Sequence, residues 1–368
     1  MGLGDMGVLT AMRLARHHDV VGISTKAEFV TGQELGTRLA APERWQRDNR
    51  FGFDSMRGLD RVRVVHGATT SVDLDGKRVH VRRADGVETV EPYDVLVIAT
   101  GVTNGFWRRP DVQSRADVSR DLESAHARLA GAESVAVIGG GASAVNAAAH
   151  LALSSPGRRT DLYFPGEGAL PQHHRKVWGL VRERLLALGV GLHPGHRADV
   201  PDGFDHDTIT SDPVTFSTGQ TATTADAVVW AIGRTRPNTG WLPADLLDEA
   251  GFVRVTPTLQ TPDRPDVFAV GDVAATDPLR CSARNRADGL LADNVSAHLS
   301  ERPLESFRPS RVRWGSVLGI QPNGIEVFLA SGSVICFPLW SVERVLLPWY
   351  LYRGVYGGIR RRRLSARG

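Results

Sequence analysis

The sequence predicts an α/β protein built from two similar nucleotide-binding halves, with a small α+β segment near the C-terminus. Three observations carry this prediction. Short β-branched runs at residues 95–98, 135–138 and 228–230 each lead straight into a glycine-containing turn, as buried parallel strands do. A glycine cluster opening an alanine-rich helix occurs twice, about 135 residues apart. Between the two copies, residues 61–90 alternate apolar and polar around Asp75-Gly76 and Asp85-Gly86, the pattern of an antiparallel meander.

The first cluster, Gly2-Leu3-Gly4-Asp5-Met6-Gly7, runs into a helix pattern over residues 8–15. In a Rossmann-like domain the first glycine makes the tight turn and the second lets the backbone approach a pyrophosphate. The third allows helix to pack on strand, and the helix N-terminus faces the phosphates. The strand that should precede the turn is not in the sequence, so about six strand residues are expected upstream of Met1. A second strand is expected at residues 19–23. An acid at its end would bind ribose hydroxyls, but Ser24-Thr25-Lys26 stands there instead. Lys26 is either a contact to ribose or phosphate, or a solvated loop lysine.

The second cluster, Gly139-Gly140-Gly141-Ala142-Ser143-Ala144, has its full context, with strand 135–138 before it and helix 145–153 after. Ala144 takes the third-glycine place. The next strand, residues 160–164, ends without an acid, Glu167 comes late, and Arg158 and Arg159 come early. A preference between a 2′-hydroxyl and a 2′-phosphate does not follow from these residues.

Three more segments raise the specificity: residues 95–101 ending in Thr100-Gly101, residues 228–238 containing Gly233, and residues 265–274 containing Gly271-Asp272. An aspartate after a strand and a glycine can hold a ribityl hydroxyl while backbone N–H groups meet phosphates. In order and spacing, over residues 2 to about 300, the five motifs resemble the pyridine nucleotide-disulfide reductase superfamily of two-domain flavoproteins. The resemblance implies FAD held by Gly2, Gly4, Asp5, Gly7, Lys26, Thr100, Gly101, Gly271 and Asp272. It implies NAD(P)H at Gly139, Gly140, Gly141, Ala142, Ser143 and Gly233. The expected divisions are an FAD-binding part at 1–110, an NAD(P)H domain at 111–240, the rest of the FAD domain at 241–303 and a C-terminal region at 304–368.

The chain has two cysteines, Cys281 and Cys336, and no paired redox motif, so no thiolate is placed for disulfide exchange. The branch it is similar to is that of type II NADH dehydrogenases and ferroptosis-suppressor-type quinone reductases, through residues 302–309 and 318–324. That likeness implies hydride transfer from nicotinamide to flavin, then reduction of a quinone or other small acceptor. Two departures stand out. Asn146 takes the place of a glutamate near the nicotinamide and is assigned to orient its carboxamide. Residues 281–287 lack the branch's glutamine motif and carry Arg284 and Arg286, which either face an anionic acceptor or cofactor phosphate or form a solvated helix face. The competing readings are a reductase of a small electron-transfer protein and a non-catalytic nucleotide sensor.

Charge divides the chain. It has 368 residues, 44 Lys plus Arg and 41 Asp plus Glu, for a net +3 and a sequence pI of 9.1. Residues 341–368 contain seven arginines and one acid, so the body is mildly acidic and nucleic-acid binding is disfavoured. No signal-peptide pattern opens the chain, and a cytoplasmic protein is expected. Trp340, Val342, Val345, Leu346, Trp349 and Tyr350 fall on one helical face kinked at Pro348, followed by tyrosines and four consecutive arginines. That combination suits peripheral contact with anionic lipid on the cytoplasmic face of a membrane. The alternative is an apolar helix packed on the body or on the partner in a homodimer. Adjacent histidines at 17–18 and 173–174 do not share a helix face, so no metal site is expected.

Overall fold

A computed structural model describes residues 1–32, 34–105, 108–205, 207–276, 287–309 and 312–360. Helix α1 (Asp5–Leu14) opens the first half and buries Met6, Val8, Leu9, Ala11 and Met12. Strand β1 (Val20–Ser24) and the short helix α2 (Leu35–Ala40) follow. The expected meander is β2 (Val62–Asp73), β3 (Arg78–Arg83) and β4 (Glu88–Pro92); β2 runs parallel to β1, and the meander pairs antiparallel within itself. Strand β5 (Leu96–Ile98) lies on the other side of the chain start. Residues 1–3 bridge the two sheets: Gly2 N donates to Ile23 O at 2.9 Å, and Ala99 N donates to Met1 O at 2.7 Å.

The second half begins with α3 (Arg115–Ala130), capped by Ser114 and Asp117 bonding each other's backbone N–H. Then come β6 (Ser134–Ile138), α4 (Ala142–Ser154), β7 (Arg159–Tyr163), α5 (Arg175–Ala187), β8 (Gly191–His193) and β9 (Ala227–Trp230). Their strands form one parallel sheet in the order β8-β7-β6-β9. β6 is its apolar centre: Val135, Ala136, Val137 and Ile138 are all buried, which is why that run carries no polar alternation. On α4, Ala144, Ala147, Ala148 and Ala149 are fully buried; small side chains let the helix approach both the sheet and α2.

The chain then returns to the first half. β10 (Arg264–Ala269) pairs parallel with β5, and α6 (Ala287–Leu299) packs Leu291 and Val295 into a core with Met6 and Phe268. A hairpin of β11 (Gly324–Phe328) and β12 (Val334–Pro338) supplies the C-terminal strands.

The tail departs from the expected geometry. A π-helix, Val342–Val355, runs through Pro348 without stopping. Proline has no N–H for an i→i−4 bond and its ring crowds the carbonyl four residues back, so the wider spacing accommodates it. The apolar face therefore splits. Val342 is 1% exposed, whereas Trp340 is 62% and Trp349 59% exposed, with Val345 and Tyr350 also outward. The following residues turn inward: Tyr356 meets Phe29 edge-on at 5.2 Å and Tyr352 meets Phe51 at 5.4 Å, with Met12 and Met56 in the same core. Arg360 forks onto Asp60. Residues 361–363, the rest of the four-arginine run, lie outside the described residues.

Tyr356→Ala should cost about 3 kcal/mol in denaturant unfolding, because it empties an aromatic core position. Tyr350→Ala, at an exposed position of the same segment, should stay within about 0.5 kcal/mol.

Candidate functional site

The parallel strands of the first half end at a cavity of about 780 Å³. Gly2, Gly4 and Asp5 line it from the turn into α1, Ser24, Thr25 and Lys26 from the end of β1, Thr100 and Gly101 from the end of β5, and Gly271 and Asp272 from the end of β10. Open α/β sheets place ligands at this edge. The glycines there differ in role. Gly2 has φ +88°, and a Cβ on it would sit 2.4 Å from Ala99 O. Gly7 is behind the cavity wall: its Cβ would meet Gly2 O at 1.8 Å, so it lets α1 pack on the turn. Gly4, the N-cap of α1, has open space where a Cβ would project and makes no side-chain cap. The first N–H groups of α1 are thus left for a ligand, at the end where the helix dipole favours an anion.

Charges crowd the same wall. Asp5 is enclosed, accepting from Thr31 Oγ1 at 3.1 Å and Gly32 N at 3.2 Å. Burial raises its pKa, against the opposing pull of Arg108. Arg108 pairs with Asp272 at 2.9 Å and donates to Gly32 O at 3.3 Å. Lys26 is not a solvated lysine. Its Nζ donates to Arg109 O at 2.9 Å and Asp111 O at 2.7 Å, and burial pushes its pKa down to about 8 although Asp111 and Asp121 oppose this.

Thr100 is tied to the other half of the chain. Its Oγ1 donates to Asn238 O at 2.9 Å, Asn238 Nδ2 donates to Thr100 O at 3.0 Å, and Thr103 Oγ1 donates to Asn238 Oδ1 at 2.8 Å. Arg108, Thr31 and Asn238 line the cavity and were missed by motif reading. Asn238 ends a recognised segment and was available to it; Arg108 and Thr31 have no spacing signal.

The second glycine cluster lies apart from this cavity. Gly139, Gly140 and Gly141 turn the chain from β6 into α4 between β7 and β9, where strand order reverses. Gly139 has φ +139°, and a Cβ there would meet Ala231 O at 2.2 Å. Gly141 caps α4 and Gly233 follows β9; both have open space at the Cβ position. Ala142 and Ser143 form the first turn of α4. None of these residues lines the 780 Å³ cavity.

Asn146 is bonded to residues of the protein on both sides of its amide. It is 6% exposed, and Oδ1 accepts from Gly36 N at 2.7 Å while Nδ2 donates to Val317 O at 3.3 Å and lies 3.5 Å from Glu34 Oε2. These bonds join α2, α4 and the C-terminal region. One turn on, His150 Nε2 contacts Leu318 O at 3.0 Å, and burial pushes its pKa down to about 4. Cys281, Arg284 and Arg286 lie outside the described residues.

A family profile described as pyridine nucleotide-disulphide oxidoreductase matches residues 2–291, and the chain belongs to that family. It is an FAD-dependent NAD(P)H oxidoreductase. It is similar to oxidoreductase ptaL of Pestalotiopsis fici, 26% identical over 342 residues and covering 87% of each chain. It is also similar to the type II NADH:quinone oxidoreductase Ndh of Mycobacterium tuberculosis, 28% identical, covering 75% of this chain and 68% of that one. Among solved structures, the sulfide:quinone oxidoreductase of Aquifex aeolicus shares the fold, with a TM-score of 0.69, 16% identity, and coverage of 98% of this chain and 92% of that one.

His150 yields a pH prediction. Its folded pKa, about 4, lies below the ordinary 6.5, so between these values the unfolded chain binds more protons. Stability from this group is therefore present above pH 6.5 and lost as pH falls toward 4, by up to about 3 kcal/mol. Thermal or denaturant unfolding of His150→Gln beside the parent should show their stability difference shrinking over that window. A difference independent of pH would contradict a buried neutral imidazole.

Proposed function

We propose that the protein carries reducing equivalents from NAD(P)H through FAD to a quinone-type acceptor, with its outward tail face against a membrane. The observation that carries the cofactor assignment is the cavity at the strand ends, into which the uncapped first turn of α1 opens beside Gly4. These residues fit a dinucleotide: the wall offers backbone N–H groups and space where side chains would stand, on a cavity of suitable size. Bound FAD would supply the redox chemistry, taking a hydride from the nicotinamide and passing electrons to the acceptor.

In this reading the chain binds and orients. Gly2, Gly4 and Gly7 shape the turn that brings the α1 N-terminus to the cofactor's phosphates. Asp5, Lys26, Thr100, Gly101, Gly271 and Asp272 form the surrounding wall. Gly139, Gly140 and Gly141 admit NAD(P)H at the N-terminus of α4, with Ala142 and Ser143 supplying its first N–H groups and Gly233 the facing clearance. Residues 1–110 and 241–303 form the FAD-binding part, 111–240 the NAD(P)H-binding part and 304–368 the C-terminal region with its basic aromatic tail.

The quinone assignment rests on two supports. Relatives and structural neighbours include proteins named for quinone reduction. The tail also presents Trp340, Val345, Trp349 and Tyr350 outward beside Arg344 and Arg353, whose guanidinium lies 5.1 Å from the Trp349 ring. Aromatics with adjacent arginines suit a lipid interface. Among the described residues no helix is long and apolar enough to cross a membrane.

Purified protein should be yellow, and stopped-flow mixing with NADH or NADPH under anaerobic conditions should bleach the flavin. Menaquinone or ubiquinone should then reoxidise it faster than ferredoxin or oxygen. A flavin that neither nucleotide bleaches would sink this reading. Gly4→Val, whose side chain would point into open space, should leave the melting temperature of the FAD-free protein unchanged and abolish FAD retention. Replacing Trp340 and Trp349 with serine should reduce pelleting with phosphatidylglycerol vesicles at least several-fold.

A further inference from the structure

The position after β1 where an acid was expected is the least explained part of the cavity. Lys26 stands there, and its ammonium contacts two main-chain carbonyls, those of Arg109 and Asp111. The same stretch is stitched alongside residues 25–27 by backbone bonds: Gln113 N donates to Thr25 O at 2.8 Å, and Ala27 N donates to Gln113 O at 3.2 Å. Gln113 in turn donates to Asp121 on α3 at 2.7 Å. Residues 108–113 are thereby fixed along one rim of the cavity, with Arg108, Arg109 and Pro110 lining it.

That fixation aims Arg108. Its guanidinium pairs with Asp272 and packs so closely on Gly32 that a Cβ there would lie 2.4 Å from Arg108 Nη2. Gly32 is the residue whose N–H binds Asp5. Two carboxylates, Asp5 and Asp272, thus face a cavity that must take an anionic diphosphate; the Arg108 cation pairs with Asp272 and acts on Asp5 through space. Without it, their charges would oppose the ligand in a partly desolvated space.

We propose that Lys26 is a positioning residue for the cofactor: by fastening residues 108–113 to the rim, it holds Arg108 on Asp272 and beside Asp5, and so makes this wall receptive to the diphosphate. Lys26 then acts through Arg108 and not as a ligand of ribose or phosphate. Arg38 and Arg109 are the other cations close to it, and Asp111 and Asp121 the acids that face it. A lysine serves here because one ammonium can donate to two carbonyls at once, as a carboxylate cannot.

The proposal rests on FAD occupying this cavity, and the test separates the two ideas. FAD release from the holoprotein after dilution is followed by the rise in free-flavin fluorescence. Lys26→Met and Arg108→Gln should each release FAD about tenfold faster than the parent, each losing a charge-assisted contact. The double variant should release no faster than the quicker single variant, because both changes remove the same arrangement. Lys26→Arg, which keeps a cation with several donors, should stay within about threefold of the parent and carries the test if the methionine variant does not fold. Parent-like release from Lys26→Met would overturn the proposal, as would a double variant whose effect is the product of the two. Release from Lys26→Arg tenfold faster than the parent would also overturn it. If Gly4→Val retains FAD normally, the cavity assignment itself fails; if Gly4→Val loses FAD while Lys26→Met keeps it, only the role of Lys26 fails.

Discussion

Both glycine-rich turns depend on one steric constraint: where the chain turns from the sheet into a helix, there is no room for a Cβ. At Gly7 an added Cβ would lie 1.8 Å from Gly2 O, and at Gly139 it would lie 2.2 Å from Ala231 O. A side chain at either point would push helix from strand and move the helix N-terminus off the sheet edge. The dipole and free N–H groups of a helix N-terminus can serve an anion at the sheet edge only if the helix sits there. The wider core follows the same demand, since Ala144, Ala147, Ala148 and Ala149 leave α4 close to β6 and to α2.

A second constraint joins the halves. The chain crosses between them at residues 102–103 and 236–237, which pair antiparallel, and Asn238 locks the crossing through Thr100 and Thr103. Asn146 makes the other join, accepting from Gly36 and donating to Val317 O. A carboxylate at 146 could accept from Gly36 but could not donate to Val317, and it would stand against Glu34. The amide is the group that satisfies both neighbours, which gives a local reason for asparagine at 146.

The parts legible in sequence are those written in local spacing. β6, β9 and the meander follow from β-branched runs and Asp-Gly turns; the second glycine turn follows from motif plus context, and the first from its glycine spacing and the helix pattern after it. Arg108 was illegible because its role comes from a partner far along the chain, Asp272, and no periodicity connects them. Lys26 was ambiguous for a related reason: its acceptors are main-chain carbonyls, which leave no trace in residue types. The tail misled in its period. A 3.6-residue wheel puts Val342 with Trp349, but Pro348 favours wider turns, and Val342 goes inward while Trp340, Val345 and Trp349 go outward.

That altered period has a mechanical consequence. The inward side of the tail packs Tyr352 and Tyr356 on Phe51 and Phe29, and Phe29 pairs with Phe51 across a two-residue ladder. Val30 and Thr31, next in sequence, line the cavity, and Thr31 holds Asp5. Aromatic packing of this kind resists rotation far better than a tethered, frayed segment would. The outward face of Trp340, Val345 and Trp349 is therefore held at a fixed angle to the cavity by the same residues that support its wall.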